Sequence, residues 1–472
     1  MKFIKILSLS LLVVFLSTSC EDQLDINTNP LVATSADPNA VLPYVFVQYS
    51  NRYVTELGTR ILDVPQQLSF CYNSPAAGNT SSFLTGNTWF MYYNQVLGNL
   101  QLVEQDAAAA GISNNNINAI AKIMKAKSFF ELSSLWGDIP FTEALDGANF
   151  PSPKFDSQQT VFNGCVDILD EAMALIDAMT PDGNVNVGQG DLIYNGDMTK
   201  WRKWANSIKI RILMLMRNKD GSADARLAAA LGQPVIETLD DIAAVRYLDT
   251  PGEAISFERF VSSFFGPDNE STGAYSPSPV SYDLMVAKGG PRANALYVDN
   301  GANGATDIGT VTPSADANAV VSNNIIRRDY LHVMFLPSEI SYYRAELGML
   351  GVTGDDVQSN FDAGLRSDCA FWGQSGPGAS GLISAMEVDN YVANYGTVTM
   401  QDIHEQLYLA GFMRPVYSWN HVRRTGVPTM EEYPGTGIST ILKRFDYPPE
   451  EVASNINTPA NPPTDTKMWF EN

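Results

Sequence analysis

Residues 126–140 read AKSFFELSSLWGDIP, and this stretch decides the fold. It closes a longer pattern: across 116–136, Ile120, Met124 and Leu135 fall on one helical stripe, and Gly137 and Pro140 stop it. Ala126 followed by Phe130, with Pro140 downstream, echoes the second helix of a tetratricopeptide hairpin. No strict repeat period runs through the chain, so an irregular all-α bundle is the alternative. The expectation is an all-α body built of helical hairpins.

Working outward, the same period predicts helices over 40–68 (Val41, Tyr44, Val45, Leu57, Ile61) and from near Trp89 through Leu97, Leu100 and Val103. Others are expected at 157–179 and at 199–218, where Trp201, Trp204, Ile208 and Leu215 mark the buried face. A polar loop, Tyr72 to Gly86, separates the first two. Residues 264–324 are rich in Gly, Pro, Ser, Asn and Asp, with no Lys or Arg between Ala293 and Ile326. So long a stretch reads as a functional loop region or a small irregular subdomain. Helices resume at Pro337, with Ser338 as the expected N-cap and Ile340, Tyr343, Leu347 and Leu350 as apolar positions. Two more follow at 355–371 and 399–413. Beyond Asp446 five prolines predict an extended tail wrapped over the body.

Composition narrows the function. The chain has 472 residues, 30 Lys+Arg against 52 Asp+Glu, a formal charge of −22 and 45% hydrophobic residues. That hydrophobic content supports a large core and excludes intrinsic disorder. The acidic balance argues against nucleic acid, which needs clustered cations, and against an anionic membrane surface as electrostatic partner. With 4 Cys and 3 His, neither a disulfide scaffold nor a histidine-rich metal site is affordable. No EF-hand spacing is present, and no cofactor is implied.

The amino terminus, MKFIKILSLSLLVVFLSTSC, places Lys2 and Lys5 before an apolar run, Ile6 to Leu16, too short to span a bilayer and suited to export. Small residues then lead into Cys20, resembling a lipoprotein signal in which Cys20 is acylated; Ser17 stands where that motif usually has Leu. The expected organisation is a signal at 1–19, a lipidated, turn-rich tether at 20–38, and a single helical body at 39–472. Cys71, Cys165 and Cys369 then form at most one disulfide, or stay as three buried thiols.

No catalytic motif survives scrutiny. His404-Glu405-Gln406-Leu407-Tyr408 lacks the second histidine of a zinc protease, and Gly378-Ala379-Ser380-Gly381-Leu382 lacks the final glycine of a nucleophile elbow. Carboxylate pairs such as Asp355-Asp356 are expected by chance in so acidic a chain. The basic run Lys200, Arg202, Lys203, Lys209, Arg211 reads as a helix face paired with nearby acids, and Arg423-Arg424 as structural. The expectation is binding without chemistry.

Several segments now align with one family: Asp25-Ile26-Asn27-Thr28-Asn29-Pro30 behind the lipoprotein start, TWFMYYNQVLGNL, AKSFFELSSLWGDIP, WRKWANSIKIRILMLMR, SEISYYRAELGMLG, HVRRTGVP, Lys443-Arg444-Phe445, and the closing Asp465 to Trp469. In this order they resemble the SusD/RagB family of outer-membrane nutrient-binding lipoproteins, over nearly the whole mature chain. The resemblance implies a SusD-like α-superhelix with tetratricopeptide-like hairpins and long loops building the ligand face. It implies a lipid-anchored protein on the outer membrane, facing the cell exterior, with a SusC-like TonB-dependent transporter as partner. Its ligand would be an oligosaccharide or, in the RagB branch, a peptide.

A sugar site needs flat rings for stacking and amides or charges for hydroxyls, set in loops on a rigid scaffold. Tyr72, Asn73 and Asn79 lie in the first long loop, which the family places near the ligand. Tyr275 and Tyr297 lie in the irregular middle, and Trp372 precedes a Gly-Pro-Gly turn. Trp89, at a helix start, completes the candidates. Each has a structural reading beside it: Trp89 and Trp372 suit core packing, and a loop tyrosine often only pins its loop.

Overall fold

Asn115–Trp136 is one unbroken helix, released where Gly137 takes a φ of +83° and donates its N–H to Ser133 O at 2.8 Å. The computed structural model describes residues 37–58, 61–70, 81–180, 187–247, 275–298, 319–327, 329–375, 381–431 and 442–471. Its helices run in chain order as α1 (Pro38–Arg52), α2 (Ser82–Phe90), α3 (Gly98–Ala110), α4 (Asn115–Trp136), α5 (Gln158–Asp177), α6 (Met198–Met216) and α7 (Ala223–Leu231). After the middle region come α8 (Pro279–Lys288), α9 (Arg292–Leu296), α10 (Pro337–Met349), α11 (Val357–Ala370), α12 (Ala385–Asn394), α13 (Met400–Ala410), α14 (Pro415–Thr425) and α15 (Pro449–Ser454). The described helices and strands all belong to one compact unit, beginning at Pro38. No described helix is long and apolar enough to cross a membrane.

Consecutive helices pack on one another: α3 on α4, α4 on α5, α5 on α6, α6 on α7, and later α10 on α11. The mostly helical architecture expected from the sequence is thus the one observed. Trp136, Trp201, Trp204 and Trp419 are fully buried among these helices. The α10–α11 pair is close enough that a Cβ on Gly364 would stand 2.4 Å from the Tyr342 ring. Only a hydrogen side chain permits that approach.

Charged groups inside the body are matched. Glu339 is fully buried and accepts from Arg211 Nη2 at 2.8 Å, from Arg414, and from the Leu336 amide at 3.1 Å. Arg424 grips Glu346 through two bonds of 2.6 and 2.8 Å and, against the opposing effect of burial, holds that carboxyl well below its usual range. Lys127 contacts Glu131 at 2.5 Å, and the Tyr49 and Tyr92 hydroxyls donate to the same carboxylate at 2.9 and 3.0 Å. Burial lowers Lys127 to about 8. Arg202, Lys203 and Lys209 do pair with neighbouring acids, but Arg211 of the same run turns inward.

Several boundaries differ from those expected. Helix α1 ends at Arg52 and passes into a π-helical turn, Tyr53–Gly58. Helix α2 starts at Ser82, capped by the Ser81 hydroxyl, which shortens the first polar loop. Ser338 is not the N-cap of α10: Leu336 holds that position, Glu339 reaches back to its amide, and Ser338 lies inside the helix, 3.4 Å from Asp368 Oδ1. The irregular middle contains α8 and α9, and the proline-rich tail contains α15. Leu350, expected on the apolar side of α10, is exposed. Helices α7, α12 and α14 have no counterpart in the sequence reading. Cys165 and Cys369 are buried free thiols, pushed up by burial; Cys71 lies outside the described residues.

Candidate functional site

The described strands form four antiparallel two-stranded ladders: β1 (Leu68–Phe70) with β5 (Tyr275–Pro277), β2 (Ile139–Pro140) with β3 (Phe155–Asp156), β4 (Ala243–Arg246) with β8 (Leu331–Phe335), and β6 (Tyr297–Val298) with β7 (Val320–Val321). Strand β1 (Leu68–Phe70) pairs with β5 (Tyr275–Pro277), setting Phe70 opposite Tyr275. The register matters: residue 71 follows one partner and residue 274 precedes the other at the same end of the ladder. The backbone leading to Tyr72 and Asn73 therefore starts beside Tyr275. Strand β6 (Tyr297–Val298) pairs with β7 (Val320–Val321), bracketing the intervening segment, and β7 lies beside β5.

The turn before β1 acts as the hub. Gln66, at a φ of +53°, donates from its amide to Glu431 O at 2.7 Å and accepts from Glu431 N at 2.9 Å. Its carbonyl accepts from the Tyr408 hydroxyl at 2.8 Å and from the Ser278 hydroxyl, while Ser278 also caps α8. Gln67 donates to Ser418 Oγ at 2.7 Å. One turn thus pins the end of β5 and the start of α8, the backbone at Glu431, and both α13 and α14.

Beneath these roots lies one apolar cluster containing Leu68, Tyr247, Met285, Tyr297, Val321, Trp372 and Phe412, with Met430 against it. Phe412 joins two of the candidate rings: Tyr297 meets it edge-on at 5.8 Å and Trp372 at 5.7 Å. The Tyr297 hydroxyl lies 3.2 Å from Ser281 Oγ. Tyr297 is 8% exposed and Trp372 only 4%. The loop-like composition around them suggested open platforms; the described structure packs both rings inward, because α13 and the turn after it deliver Phe412 between them. The Trp372 indole N–H is buried with no hydrogen-bond partner among the described residues.

Trp89 belongs elsewhere. It is 7% exposed, edge-on to Trp136 at 5.1 Å and near Tyr93, Phe155 and Tyr447. Its rim borders a groove of about 820 Å³ between α2, the 140–153 segment and α15. Phe83, Phe90 and Phe150 project into it with 59%, 52% and 39% of their surface exposed. Sequence reasoning missed these three; the available signal was the spacing of Phe83 and Phe90, seven residues apart on one helix. Tyr72, Asn73, Asn79 and Cys20 lie outside the described residues, as does the side chain of Tyr275.

His332 is pushed down to about 3 by burial and by Lys127, and its Nδ1 lies 2.8 Å from Ser50 Oγ. His421 is likewise driven well below its ordinary value by burial, so both rings stay neutral. Among the described residues no group of three acidic, histidine or cysteine side chains is placed to hold a metal ion.

Comparison with known proteins follows the fold. A SusD-like family model, described as starch-binding and associating with the outer membrane, matches residues 57–448. No curated protein matches the sequence. Among solved structures, a chitin-binding protein superposes with a TM-score of 0.79 at 21% identity, covering 92% of this chain and 100% of its own. A SusD homologue from Bacteroides uniformis gives 0.74 at 20% identity, covering 92% and 98%. A chitin-binding SusD homologue from Flavobacterium johnsoniae gives 0.73 at 18%, again covering 92% and 98%.

Proposed function

We propose, from the premise that this chain belongs to the SusD-like family, that it captures oligosaccharides outside the cell and delivers them to a SusC-like TonB-dependent transporter. Acylation at Cys20 would hold the acidic body on the outer membrane without a basic patch. The observation that carries the ligand-face assignment is the shared root: the segments bearing Tyr72, Asn73 and Asn79 and the segment ending at Tyr275 start from one ladder, over one apolar cluster. A rigid base of that kind lets loop tyrosines and asparagines present stacking faces and hydrogen-bonding groups with little ordering cost. In this reading Tyr72, Asn73, Asn79 and Tyr275 meet the ligand, while Tyr297 and Trp372 form the packed floor that fixes the loops. The protein binds and does no chemistry.

Calorimetric titration of the body lacking residues 1–20 against oligosaccharide and peptide panels tests this. Binding of at least one oligosaccharide below millimolar, lost in Tyr72→Ala or Tyr275→Ala with an unchanged melting temperature, is expected. Peptides binding where every oligosaccharide fails would replace the reading with peptide capture.

A further inference from the structure

The groove beside Trp89 has features that the loop face does not need. Its α2 wall presents Phe83, Asn87 and Phe90, with Asn94 in the π-helical turn that follows, so rings and amides alternate along the groove. The two rings, seven residues apart, are separated by about 10.5 Å of helical rise. That matches the repeat of an extended β-1,4-linked chain, in which every second sugar ring presents the same face. The opposite wall, from α15, carries the carboxylates of Glu450 and Glu451, and Glu143 stands at the rim.

Positive charge nearby is sparse. Lys154 approaches Glu143 at 3.7 Å, and Glu451 Oε1 accepts from Asn455 Nδ2 at 2.9 Å. Glu450 is exposed and sits over Gly86, where a Cβ would lie 3.4 Å from its Oε2; a side chain at that position would crowd the groove floor. Exposed rings of this size grouped in one concavity mark an interaction site rather than ordinary surface. Acids facing rings select a ligand that is cationic on one edge and flat and apolar on its faces.

We infer that this groove is a second ligand site, for a β-1,4-linked amino-sugar oligosaccharide with free amines: alternate rings rest on Phe83 and Phe90, and the ammonium groups meet Glu450 and Glu451. The inference takes its ligand class from the oligosaccharide reading but assigns it to different residues.

The test is calorimetric titration of the soluble body with the glucosamine tetramer, the N-acetylated tetramer and tetralysine. Expected are at least tenfold tighter binding of the free-amine tetramer than of the acetylated one, and a further loss on going from 0.15 to 1 M salt. Glu450→Gln with Glu451→Gln should lower the free-amine affinity tenfold or more, and Phe90→Ala should do the same, while the exposed positions Glu450 and Phe90 leave the melting temperature unchanged when changed singly. Equal affinity for the acetylated tetramer, insensitivity to the groove variants, or tetralysine binding as tightly as the sugar would each overturn the inference. Loss of free-amine binding in Tyr275→Ala alone would move it to the loop face. Failure of every sugar, by contrast, sinks the oligosaccharide reading as a whole.

Discussion

The hairpin body and the base of the loops hold themselves together differently. In the body, long helices pack on their neighbours in sequence, and several buried charges are locked in pairs and triads such as Arg211–Glu339–Arg414 and Arg424–Glu346. In the base, strands of two to three residues and single side chains tie segments hundreds of residues apart, with Gln66 reaching Glu431 and Gln67 reaching Ser418. The body therefore carries the cost of unfolding. The base converts distant sequence into one surface at small energetic expense, which is what a face that varies with ligand requires.

The largest effect should come from the body. Glu339→Ala leaves the Arg211 and Arg414 guanidiniums buried without their carboxylate and removes the bond to the Leu336 amide. Stranding a buried charge in this way costs roughly 3–5 kcal/mol. Urea denaturation of the variant should show a loss of that order, or no folded protein. A loss under about 1 kcal/mol would mean that the network is not what holds the body, and the contrast with the base would collapse.

Gln66→Ala probes the base directly. It removes both bonds to Glu431, an exposed residue whose backbone groups water can then satisfy, at about 0.5–1.5 kcal/mol for each bond. The expected signature is local: hydrogen exchange at the Glu431 amide should accelerate far more than at amides of α4. Uniform acceleration throughout the chain would show that base and body unfold as one unit.

How much of this was legible in the sequence follows the same divide. Helices α4, α5, α6, α11 and α13 were readable because their apolar stripes keep a helical period against polar faces. Helix α14 was passed over: His421, Arg423 and Arg424 read as polar in the sequence although all three are buried. Helix α8 hid in a Gly- and Pro-rich neighbourhood, although Ser278 before Pro279 is an ordinary cap signal. At the site, Tyr297 and Trp372 were picked as rings in loop-like surroundings; nothing local reveals that Phe412 packs against both. Phe83 was passed over because it fell within the expected polar loop, and Phe90 because a helical reading assigns phenylalanine to the core; only the fold shows their exposure.

Stability against pH probes the body through Lys127. Lys127, in the body, has a native value of about 8, below its ordinary value, because burial outweighs the attraction of Glu131. Below pH 8 both states hold the proton and the burial penalty is fully present. Between 8 and about 10.4 the native state sheds it first, so stability rises with pH by up to about 1.4 kcal/mol per unit. Buried tyrosines such as Tyr49 and Tyr92, raised well above their ordinary value, oppose this only above about pH 10, where the unfolded chain ionises first. Denaturation midpoints should therefore climb from pH 8 to 9.5 in the native protein and stay flat in Lys127→Met. A climb of equal slope in that variant would assign the effect to another group.

The smallest effect, and the sharpest discrimination, lies at Tyr297→Phe. The ring keeps its edge contact with Phe412 and its place near Tyr282, so the apolar packing is retained. What is lost is one buried hydroxyl pair with Ser281, at about 1 kcal/mol. If Tyr297 is floor, the melting temperature falls slightly and the affinity for whichever oligosaccharide binds the native protein is unchanged. If the affinity falls while the melting temperature holds, the hydroxyl reaches the ligand, and the base is then part of the binding face rather than its support. Calorimetry and thermal melting on one preparation read both quantities, and the two outcomes cannot be confused.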